Sequence, residues 1–379
     1  MKRTLISILI ALVACGCSAH VTTRTAVAPK PGTSRFLIGA AAPSTAQFQQ
    51  ATGVQPDIVE HYARTGAAFS VNFAAGAIPL IQLMPYDVPL ASIANGDEDD
   101  WLRSYARAVA WYQRPVLLGF APEMNGSWYP WGDTHVSPAG YIAAWRHVVT
   151  VFRGQGALNV TWLWTVNVAI IASGSSPSNG VGAATPWWPG AAWVDWAGVD
   201  GYFYRSSESF GIVFGNTLGQ IRALTPKPVL ISETAVAPAA GKAAKIPGLF
   251  AGAYAAGVTG LVWFDLPGNR DWRLDDDQAA LAAFRAAVAR YRNPVAPPSP
   301  SPTGTGSSLP TPSPTGTGSS PPAASPTGGW SRWTTTQGQA VSARDTAAYP
   351  SQRPAATALS AFSPQVFEDS GYLDLLWEV

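Results

Sequence analysis

The chain contains few cysteines, few histidines and few charged residues. Only two cysteines, Cys15 and Cys17, occur among its 379 residues, and both lie close to the N-terminus. The remainder of the chain therefore has no disulfide, and its core must be stable without one. The four histidines show none of the spacings that are typical of metal ligands. We expect neither a disulfide framework nor a metal centre.

The charge composition also excludes several classes of protein. Charged residues make up 12% of the sequence and the net charge is +1. Because lysine and arginine form no cluster, the sequence offers no electrostatic case for binding a nucleic acid. The Gly-x-Ser-x-Gly motif of serine hydrolases and the glycine-rich phosphate loop are both absent, and we predict no cofactor. The acidic runs 97–100 and 275–277 precede helical patterns, so we interpret them as helix starts rather than calcium ligands.

The first residues have the form of an export signal. Lys2 and Arg3 precede an apolar run, 5–13, that is too short to cross a bilayer comfortably. The next residues, Leu-Val-Ala-Cys15, resemble the bacterial lipobox, in which the cysteine is lipidated. Cys17 is the weaker candidate, and a plain signal cleaved near Ala19 is the alternative. We expect a secreted protein that a lipid on Cys15 anchors at the outer face of a bacterial cytoplasmic membrane.

Composition divides the chain after this signal, 1–19, into four segments. Residues 20–34 are polar and form a tether, and 35–293 form the globular part. Residues 294–329 consist mainly of Pro, Ser, Thr and Gly and are predicted to be a linker. Residues 330–379 are too few to fold readily without a stabilising cross-link such as a disulfide, so we expect disorder or a truncated module there. We expect the protein to be a monomer.

The globular segment alternates strand-like and helix-like patterns. Helical patterns cover 101–112 and 141–152, where Asp99 or Asp100 is the candidate cap of the first and Ser137-Pro138 opens the second. Eight strands alternating with helices in about 260 residues match the rhythm of a (β/α)8 TIM barrel. An open doubly wound sheet is the alternative, but no Gly-x-Gly-x-x-Gly turn follows an early strand. The predicted strands are 36–41, 69–73, 80–84, 116–120, 160–166, 196–202, 229–232 and 261–264.

Two glutamates stand at the ends of predicted strands. Glu123 follows 116–120 and Glu233 follows 229–232, which are the fourth and seventh predicted strands. An acid at the carboxyl end of a buried parallel strand is poorly placed for packing and well placed for catalysis. Hydrolysis of a glycosidic bond uses two such carboxyl groups. We therefore predict that Glu123 and Glu233 are a catalytic pair.

The chain also contains 16 tryptophans, an excess that has two interpretations. Most of them are predicted to fill the core, but a flat ring near the mouth of a barrel suits stacking on a sugar. Asn125, two positions after Glu123, either orients a hydroxyl group or forms a turn before Gly126. Trp263 is the candidate floor of the reacting sugar's site. The candidate substrate-binding residues are Asn125, Trp128, Trp131, Trp164, Tyr202, Trp263 and Trp272.

Three strings resemble a known family. Residues 123–132, Glu-Met-Asn-Gly-Ser-Trp-Tyr-Pro-Trp-Gly, resemble the acid/base motif of glycoside hydrolase family 26. Residues 188–202 resemble its strand-six signature, and 231–234 resemble its nucleophile strand. The resemblance implies a retaining, endo-acting hydrolase of a β-linked polysaccharide, most often β-1,4-mannan. It implies Glu123 as the acid/base, Glu233 as the nucleophile and Tyr202 as a hydrogen-bond partner of the nucleophile.

Two positions depart from the family pattern. Many members have His directly before the acid/base and Arg four residues before it, whereas this chain has Pro122 and Gly119. These positions bear on the proximal sugar site, so β-1,3-xylan, mixed-linkage glucan and an envelope polysaccharide are alternative substrates. A non-catalytic, exported glycan-binding protein is a further alternative. Such a binder has no need of two converging carboxylates, whose repulsion costs stability.

Overall fold

The computed structural model describes residues 35–293, apart from 75, 171–178 and 269. The signal segment with Cys15 and Cys17, the tether, the linker and the C-terminal segment lie outside the described residues, so the statements about them stay predictions. Among the described helices, none combines the length and the apolar character that a membrane span requires.

Eight parallel strands close into a barrel in chain order, and β8 pairs with β1 to complete the ring. The predicted (β/α)8 TIM barrel is confirmed. The strands are β1 (Leu37–Ala41), β2 (Ile58–Arg64), β3 (Ile78–Met84), β4 (Val116–Phe120), β5 (Val160–Asn167), β6 (Trp196–Asp200), β7 (Val229–Thr234) and β8 (Gly260–Phe264). The described α-helices are α1 (Thr45–Thr52), α2 (Leu90–Asn95), α3 (Asp99–Tyr112), α4 (Pro138–Gly154), α5 (Phe210–Leu224), α6 (Lys242–Ala255) and α7 (Gln278–Tyr291). Short 3-10 helices cover Asn72–Ala74, Thr185–Trp187 and Pro238–Ala240.

The starts of two helices test the predicted caps. The Ser137 hydroxyl accepts a hydrogen bond from a backbone N–H in the first turn of α4, and Pro138 occupies the first helical position, as predicted. The capping prediction for α3 is wrong, because its N-cap position is Glu98, which makes no side-chain cap. Asp99 and Asp100 lie in the first turn instead, where negative charge favours the helix dipole.

The second strand is the one that the sequence pattern misplaces. The predicted strand 69–73 is wrong, since this segment ends in the 3-10 helix Asn72–Ala74. Its apolar side chains pack against the protein from a loop. The Phe69 ring, for example, meets the Tyr105 ring of α3 edge-on at 5.6 Å. The true strand is β2, whose Glu-His-Tyr centre breaks the apolar run that marks a buried parallel strand.

Side chains of β5 show how the barrel wall is divided. Thr165 faces inward, and its hydroxyl lies 3.4 Å from the Ser232 hydroxyl across the barrel. Trp162 faces outward and meets the Phe152 ring of α4 at 5.3 Å. Trp164 lies two residues further along the strand, so it also faces outward. At these positions the strand presents a hydroxyl group to the interior and large aromatic rings to the helices.

Candidate active site

Glu123 lies in a turn three residues beyond the end of β4. Its φ is 57° and that of Ala121 is 46°, both in the left-handed region that non-glycine residues seldom adopt. The turn is tied to the neighbouring strand, because the Glu123 N–H donates to the Thr165 carbonyl at 3.0 Å. Backbone strain of this kind persists where surrounding structure enforces it, and it clusters at active sites. The turn holds the Glu123 side chain at the carboxyl ends of the strands.

Both oxygens of the Glu123 carboxyl group accept hydrogen bonds from side-chain N–H groups. The Trp128 indole N–H donates to Oε2 at 2.9 Å, and the Asn167 amide donates to Oε1. Asn167 is the last residue of β5, so its side chain reaches the mouth of the barrel from a rigid strand. Two donors fix the orientation of the Glu123 carboxyl group.

Asn125 stabilises this arrangement from behind. Its side-chain oxygen accepts from the Asn167 N–H at 2.9 Å, and its amide donates to the carbonyls of Asn167 and Gly182. The residue is 0% exposed. The prediction that Asn125 contacts substrate is therefore wrong, because its polar atoms are all engaged inside the protein. Asn125 positions Asn167 instead.

Glu233 reaches the same mouth through an irregularity in β7. Asp200 pairs in register with Glu233, after a shift in the pairing of β6 with β7. The preceding residue, Ser232, also faces the interior, where its hydroxyl donates to Asp200 Oδ1 at 2.6 Å. Adjacent residues of a regular strand point to opposite faces, but a bulge re-aims one of them. The bulge thus lets Ser232 and Glu233 both face inward.

Two tyrosines hold the Glu233 carboxyl group. The Tyr62 hydroxyl donates to Oε1, and the Tyr202 hydroxyl donates to Oε2. The resemblance implied the bond from Tyr202, but no pattern marked Tyr62, because the predicted second strand was misplaced. Hydrogen bonds donated to both oxygens favour the ionised form of a carboxyl group.

The two carboxyl groups differ in their electrostatics. Burial first, and then the charge of Glu233, raise the pKa of Glu123 to about 8. Burial also raises the pKa of Glu233, but the hydrogen bonds from Tyr202 and Tyr62 oppose that rise. Pairs of titratable groups with diverging pKa values mark the acid and the base of many hydrolytic sites.

Two further carboxyl groups are buried in the interior below this pair. Asp200 on β6 is 1% exposed and Glu60 on β2 is 3% exposed. Burial and then the Glu233 charge raise the pKa of each well above its usual value. Glu60 was not singled out by the sequence analysis. Within the described ranges, no group of three or more His, Cys, Asp or Glu side chains could hold a metal ion.

Three of the predicted aromatic residues lie at the site. Tyr202 holds Glu233, and the half-buried Trp128 holds Glu123. The Trp272 ring lies 5.0 Å from the Tyr202 ring and is almost fully buried behind it. Trp272 therefore fixes Tyr202 and offers little ring surface to a ligand.

For Trp131, Trp164 and Trp263, the prediction of substrate contact is wrong. Trp131 stacks on Tyr129 at 4.5 Å, and its indole N–H donates to a backbone carbonyl, so it stabilises the loop that follows Glu123. Trp164 and Trp263 are fully buried. The Trp263 ring meets Phe284 of α7 at 5.6 Å, on the outside of the barrel wall. Both rings pack between strands and helices.

The two positions that depart from the family pattern have structural roles. The Pro122 carbonyl accepts the Trp131 indole N–H at 2.7 Å. Gly119 faces the interior, where a Cβ atom would lie 1.8 Å from Gln82 Oε1. Any side chain at position 119 would therefore have to displace Gln82.

Residues that the sequence analysis missed complete the site: Tyr62 and Asn167 contact the two glutamates directly. A signal for Asn167 was available, since it directly follows the predicted strand 160–166 and therefore lies on the active-site face. No comparable signal marked Tyr62.

Comparison with known proteins gives one family and several relatives. The family described as Glycosyl hydrolase family 26 matches residues 53–249. Endoglucanase H of Acetivibrio thermocellus is 30% identical over 287 residues, which are 67% of this chain and 31% of that protein. A β-1,3-xylanase of a Vibrio species is 28% identical over 144 residues, which are 38% of this chain and 28% of that protein. The chain spans about a third of the length of these curated relatives.

Solved structures resemble the barrel. An endo-β-1,4-mannanase double mutant of Cellulomonas fimi superposes with a TM-score of 0.53 and 17% sequence identity. The match covers 67% of this chain and 71% of the mannanase. At this identity the likeness supports the fold alone.

Proposed function

This chain belongs to glycosyl hydrolase family 26, and we propose that it cleaves internal linkages of a β-linked polysaccharide with retention of configuration. Glu123 is the general acid/base and Glu233 is the nucleophile. The observation that carries the proposal is the asymmetry of the two carboxyl groups. Glu233 receives a hydroxyl donor on each oxygen, whereas the pKa of Glu123 is raised to about 8.

In the first step, ionised Glu233 attacks the anomeric carbon and protonated Glu123 gives its proton to the leaving oxygen. The glycosyl group is then bound covalently to Glu233. Burial is the larger cause of the raised Glu123 pKa, and as the charge leaves Glu233, the repulsion that adds to it disappears. Glu123 is therefore ready to ionise when the proton has been transferred.

In the second step, the Glu123 carboxylate removes a proton from water, which attacks the glycosyl enzyme. The N–H donors of Trp128 and Asn167 contribute most here, because a carboxylate accepts hydrogen bonds more strongly than a carboxylic acid does. Tyr62 and Tyr202 then stabilise Glu233 as it regains its charge. Each pair of donors thus serves the ionised stage of its own carboxyl group.

The first candidate substrate is β-1,4-mannan, which the motif at 123–132 predicts. A second candidate, a β-glucan, is supported by the 30% identity with an endoglucanase. The matched Vibrio relative adds β-1,3-xylan to the candidates. Many members carry arginine at the position of Gly119, whereas here the uncharged and fully buried Gln82 occupies the space beside it.

The test is incubation of the purified full-length protein with β-1,4-mannan, mixed-linkage β-glucan and β-1,3-xylan. New reducing ends with products of intermediate length are expected on one of these substrates, and Glu233→Ala is the inactive control. Early products should carry the β configuration in proton NMR spectra. Appearance of the α anomer first would contradict retention. Binding of a glycan by the folded protein, without cleavage of any, would favour the non-catalytic alternative.

A further inference from the structure

Most of the rings that the sequence predicted to contact a sugar are buried, and a different ring is exposed at the site. In the described part of the chain, the Tyr, Trp and Phe residues with an exposed fraction of 40% or more are Trp111, Tyr204 and Tyr254. Trp111 and Tyr254 lie in the last turns of α3 and α6, which lead back to the amino ends of the strands. Tyr204 follows β6 and therefore lies at the carboxyl ends, on the face that carries the two glutamates.

The backbone at Tyr204 continues the alternation of β6. Phe203 pairs with Val236 beyond the ends of β6 and β7, and side chains of an extended chain alternate between its two sides. Phe203 is buried against the Phe214 ring of α5 at 6.1 Å, so Tyr202 and Tyr204 share the opposite side. Tyr202 bonds to the proposed nucleophile there, and the Tyr204 ring lies 6.5 Å from the Tyr202 ring. Tyr204 therefore lies one step further out than Tyr202, at the rim of the site.

The segment that carries Tyr204 is fixed to the protein. Glu208 is 4% exposed, and its Oε2 accepts the Tyr204 N–H at 2.6 Å and the Arg205 N–H at 3.0 Å. The Lys245 ammonium group on α6 donates to the Glu208 carbonyl. The Trp272 ring meets the Tyr204 ring edge-on at 5.5 Å. A ring held in this way loses little conformational freedom when a ligand packs against it, which favours binding.

Tyr204 remains uncharged, although it lies close to two carboxyl groups. Burial, followed by the charge of Glu123, raises the pKa of Tyr204 to about 12, and the charge of Glu233 adds to the rise. The ring therefore lies within electrostatic reach of both glutamates, and its hydroxyl group keeps its proton at neutral pH. An uncharged, partly exposed ring with a polar edge suits a neutral sugar.

We propose that the Tyr204 ring binds the apolar face of a pyranose unit of the polysaccharide, beside the bond that is cleaved. The inference rests on the proposed function, because it names a binding surface for the same substrate. A pyranose ring presents C–H groups on its face, which pack on an aromatic ring while the hydroxyl groups keep their contact with water. Within the described residues, no hydrogen bond joins Tyr204 to Glu123 or Glu233. Its contact should therefore strengthen binding of the chain more than it speeds the chemical step.

The first experiment measures binding without catalysis, in the full-length Glu233→Ala protein. The probes are hexasaccharides of β-1,4-mannan, mixed-linkage β-glucan and β-1,3-xylan, titrated by calorimetry. Tyr204→Ala should weaken binding of the tightest probe by about three- to tenfold, as expected for one aromatic contact. Tyr204→Phe keeps the ring and should bind within about twofold of the parent protein. Equal losses in both variants, or no loss in Tyr204→Ala, would overturn the proposal, and so would a parent protein that binds none of the probes.

Two further variants separate loss of the ring from loss of the fold. Tyr254→Ala removes a ring of similar exposure, 45%, from the opposite face of the barrel and should leave the dissociation constant unchanged. An equal loss in Tyr254→Ala would contradict a contact at Tyr204. Tyr204→Leu keeps an apolar side chain beside Trp272, so it replaces Tyr204→Ala if that variant does not fold, and it should weaken binding to the same extent. Full affinity of Tyr204→Leu would mean that no flat ring is needed, which contradicts the proposal.

The second experiment asks whether Tyr204 acts on the substrate or on Tyr202. With Glu233 in place, Tyr204→Ala should raise KM on the polysaccharide with little change in kcat, since it removes a contact made equally in the ground state and the transition state. The acidic limb of the kcat/KM profile should stay in place. A lower kcat with unchanged KM, or a shifted acidic limb, would mean that Tyr204 only supports Tyr202, and the proposal would be wrong. Failure of the proposed function would appear separately, as a native protein that binds a probe through Tyr204 and cleaves none of the glycans.

Discussion

The inner and outer faces of the barrel wall are built from the same strands and serve different needs. At the inner face, Glu60, Glu123 and Asp200 are buried and Glu233 is half-buried, and one oxygen each of Glu60 and Asp200 lacks a hydrogen-bond partner. Buried polar groups without partners, and like charges near one another, both reduce stability. The inner face is therefore arranged for chemistry at the expense of stability.

The outer face has the opposite character. Trp162 and Trp263 meet phenylalanine rings of α4 and α7 at 5.3 and 5.6 Å, in the edge-to-face geometry that aromatic pairs favour. Large side chains of this kind dominate the energy of a packed core. Stability gained on the outer face offsets the cost of the inner face. Substitutions on the two faces should therefore separate activity from stability.

The largest expected effect distinguishes the two glutamates of the inner face, Glu123 and Glu233. Glu233→Ala removes the proposed nucleophile, so turnover should collapse on every substrate, whatever the leaving group. Glu123→Ala removes the proposed proton donor, which should lower activity on polysaccharide by about 10²–10⁴-fold. An activated aryl oligosaccharide needs little protonation and should partly escape this loss in the first step. Steady-state and burst kinetics on both kinds of substrate measure the difference.

Azide provides the control for these two variants. In Glu123→Ala the glycosyl enzyme should accumulate, because its hydrolysis lacks a general base, and added azide should speed its breakdown. Identical responses of the two variants to azide would contradict the assigned roles. So would azide rescue of Glu233→Ala with retained configuration.

The next effect concerns the outer face. Trp164 is fully buried and meets Trp188 edge-on at 5.0 Å. Trp164→Ala should lower the free energy of unfolding by about 3–5 kcal/mol, as truncations of large core residues do. The kcat of the molecules that remain folded should not change, because the ring faces away from the site. Urea unfolding and active-site titration measure the two quantities.

Trp111 is the matched control for Trp164, since it is 86% exposed on α3. Trp111→Ala should change the free energy of unfolding by less than about 0.5 kcal/mol, as surface substitutions do. A loss of kcat per folded molecule in Trp164→Ala would show that the two faces are coupled and would weaken the comparison.

The sequence predicts the fold well because seven of the eight predicted strands coincide with strands of the barrel. Of these, β1, β4 and β8 are continuous apolar runs, as buried parallel strands are. The exception is β2, where Glu60 and Tyr62 point inward and interrupt the run. These two residues are polar because they belong to the site. The strand that the sequence pattern misses is thus one that contributes side chains to the site.

The site could be predicted only in part. Glu123 and Glu233 stand near strand ends, so their shared location followed from the barrel alone. The tryptophans gave a poorer signal, because ring chemistry suits both a sugar and a core. Alternation along β5 would have placed Trp164 on the face opposite Asn167. The bulge that turns Glu233 inward leaves no mark that single-sequence reasoning detects.

A smaller effect should follow from one hydroxyl group on the inner face. Tyr202→Phe removes one of the two donors that favour ionised Glu233. The pKa of Glu233 should rise, so the acidic limb of the kcat/KM profile should move to higher pH. We expect a loss of about tenfold in kcat/KM at neutral pH, equivalent to one hydrogen bond. Tyr204→Phe is the control, because that neighbouring residue does not bond to Glu233, and it should leave the acidic limb in place.

The smallest effect should come from Trp128→Phe, which keeps an aromatic ring and removes the indole donor to Glu123 Oε2. That bond opposes the rise of the Glu123 pKa to about 8, so its loss should raise the pKa further. Activity requires Glu123 to be protonated in the first step, and the basic limb should therefore move to higher pH. The second step needs the carboxylate and should slow by only a few fold, because Asn167 still donates to Oε1.

The free energy of unfolding should stay nearly constant in Trp128→Phe, since the ring is half-buried and lies on the inner side. A basic limb that moves to lower pH would mean that the indole stabilises the protonated acid, and the assignment of Trp128 as a support for the ionised stage would be wrong.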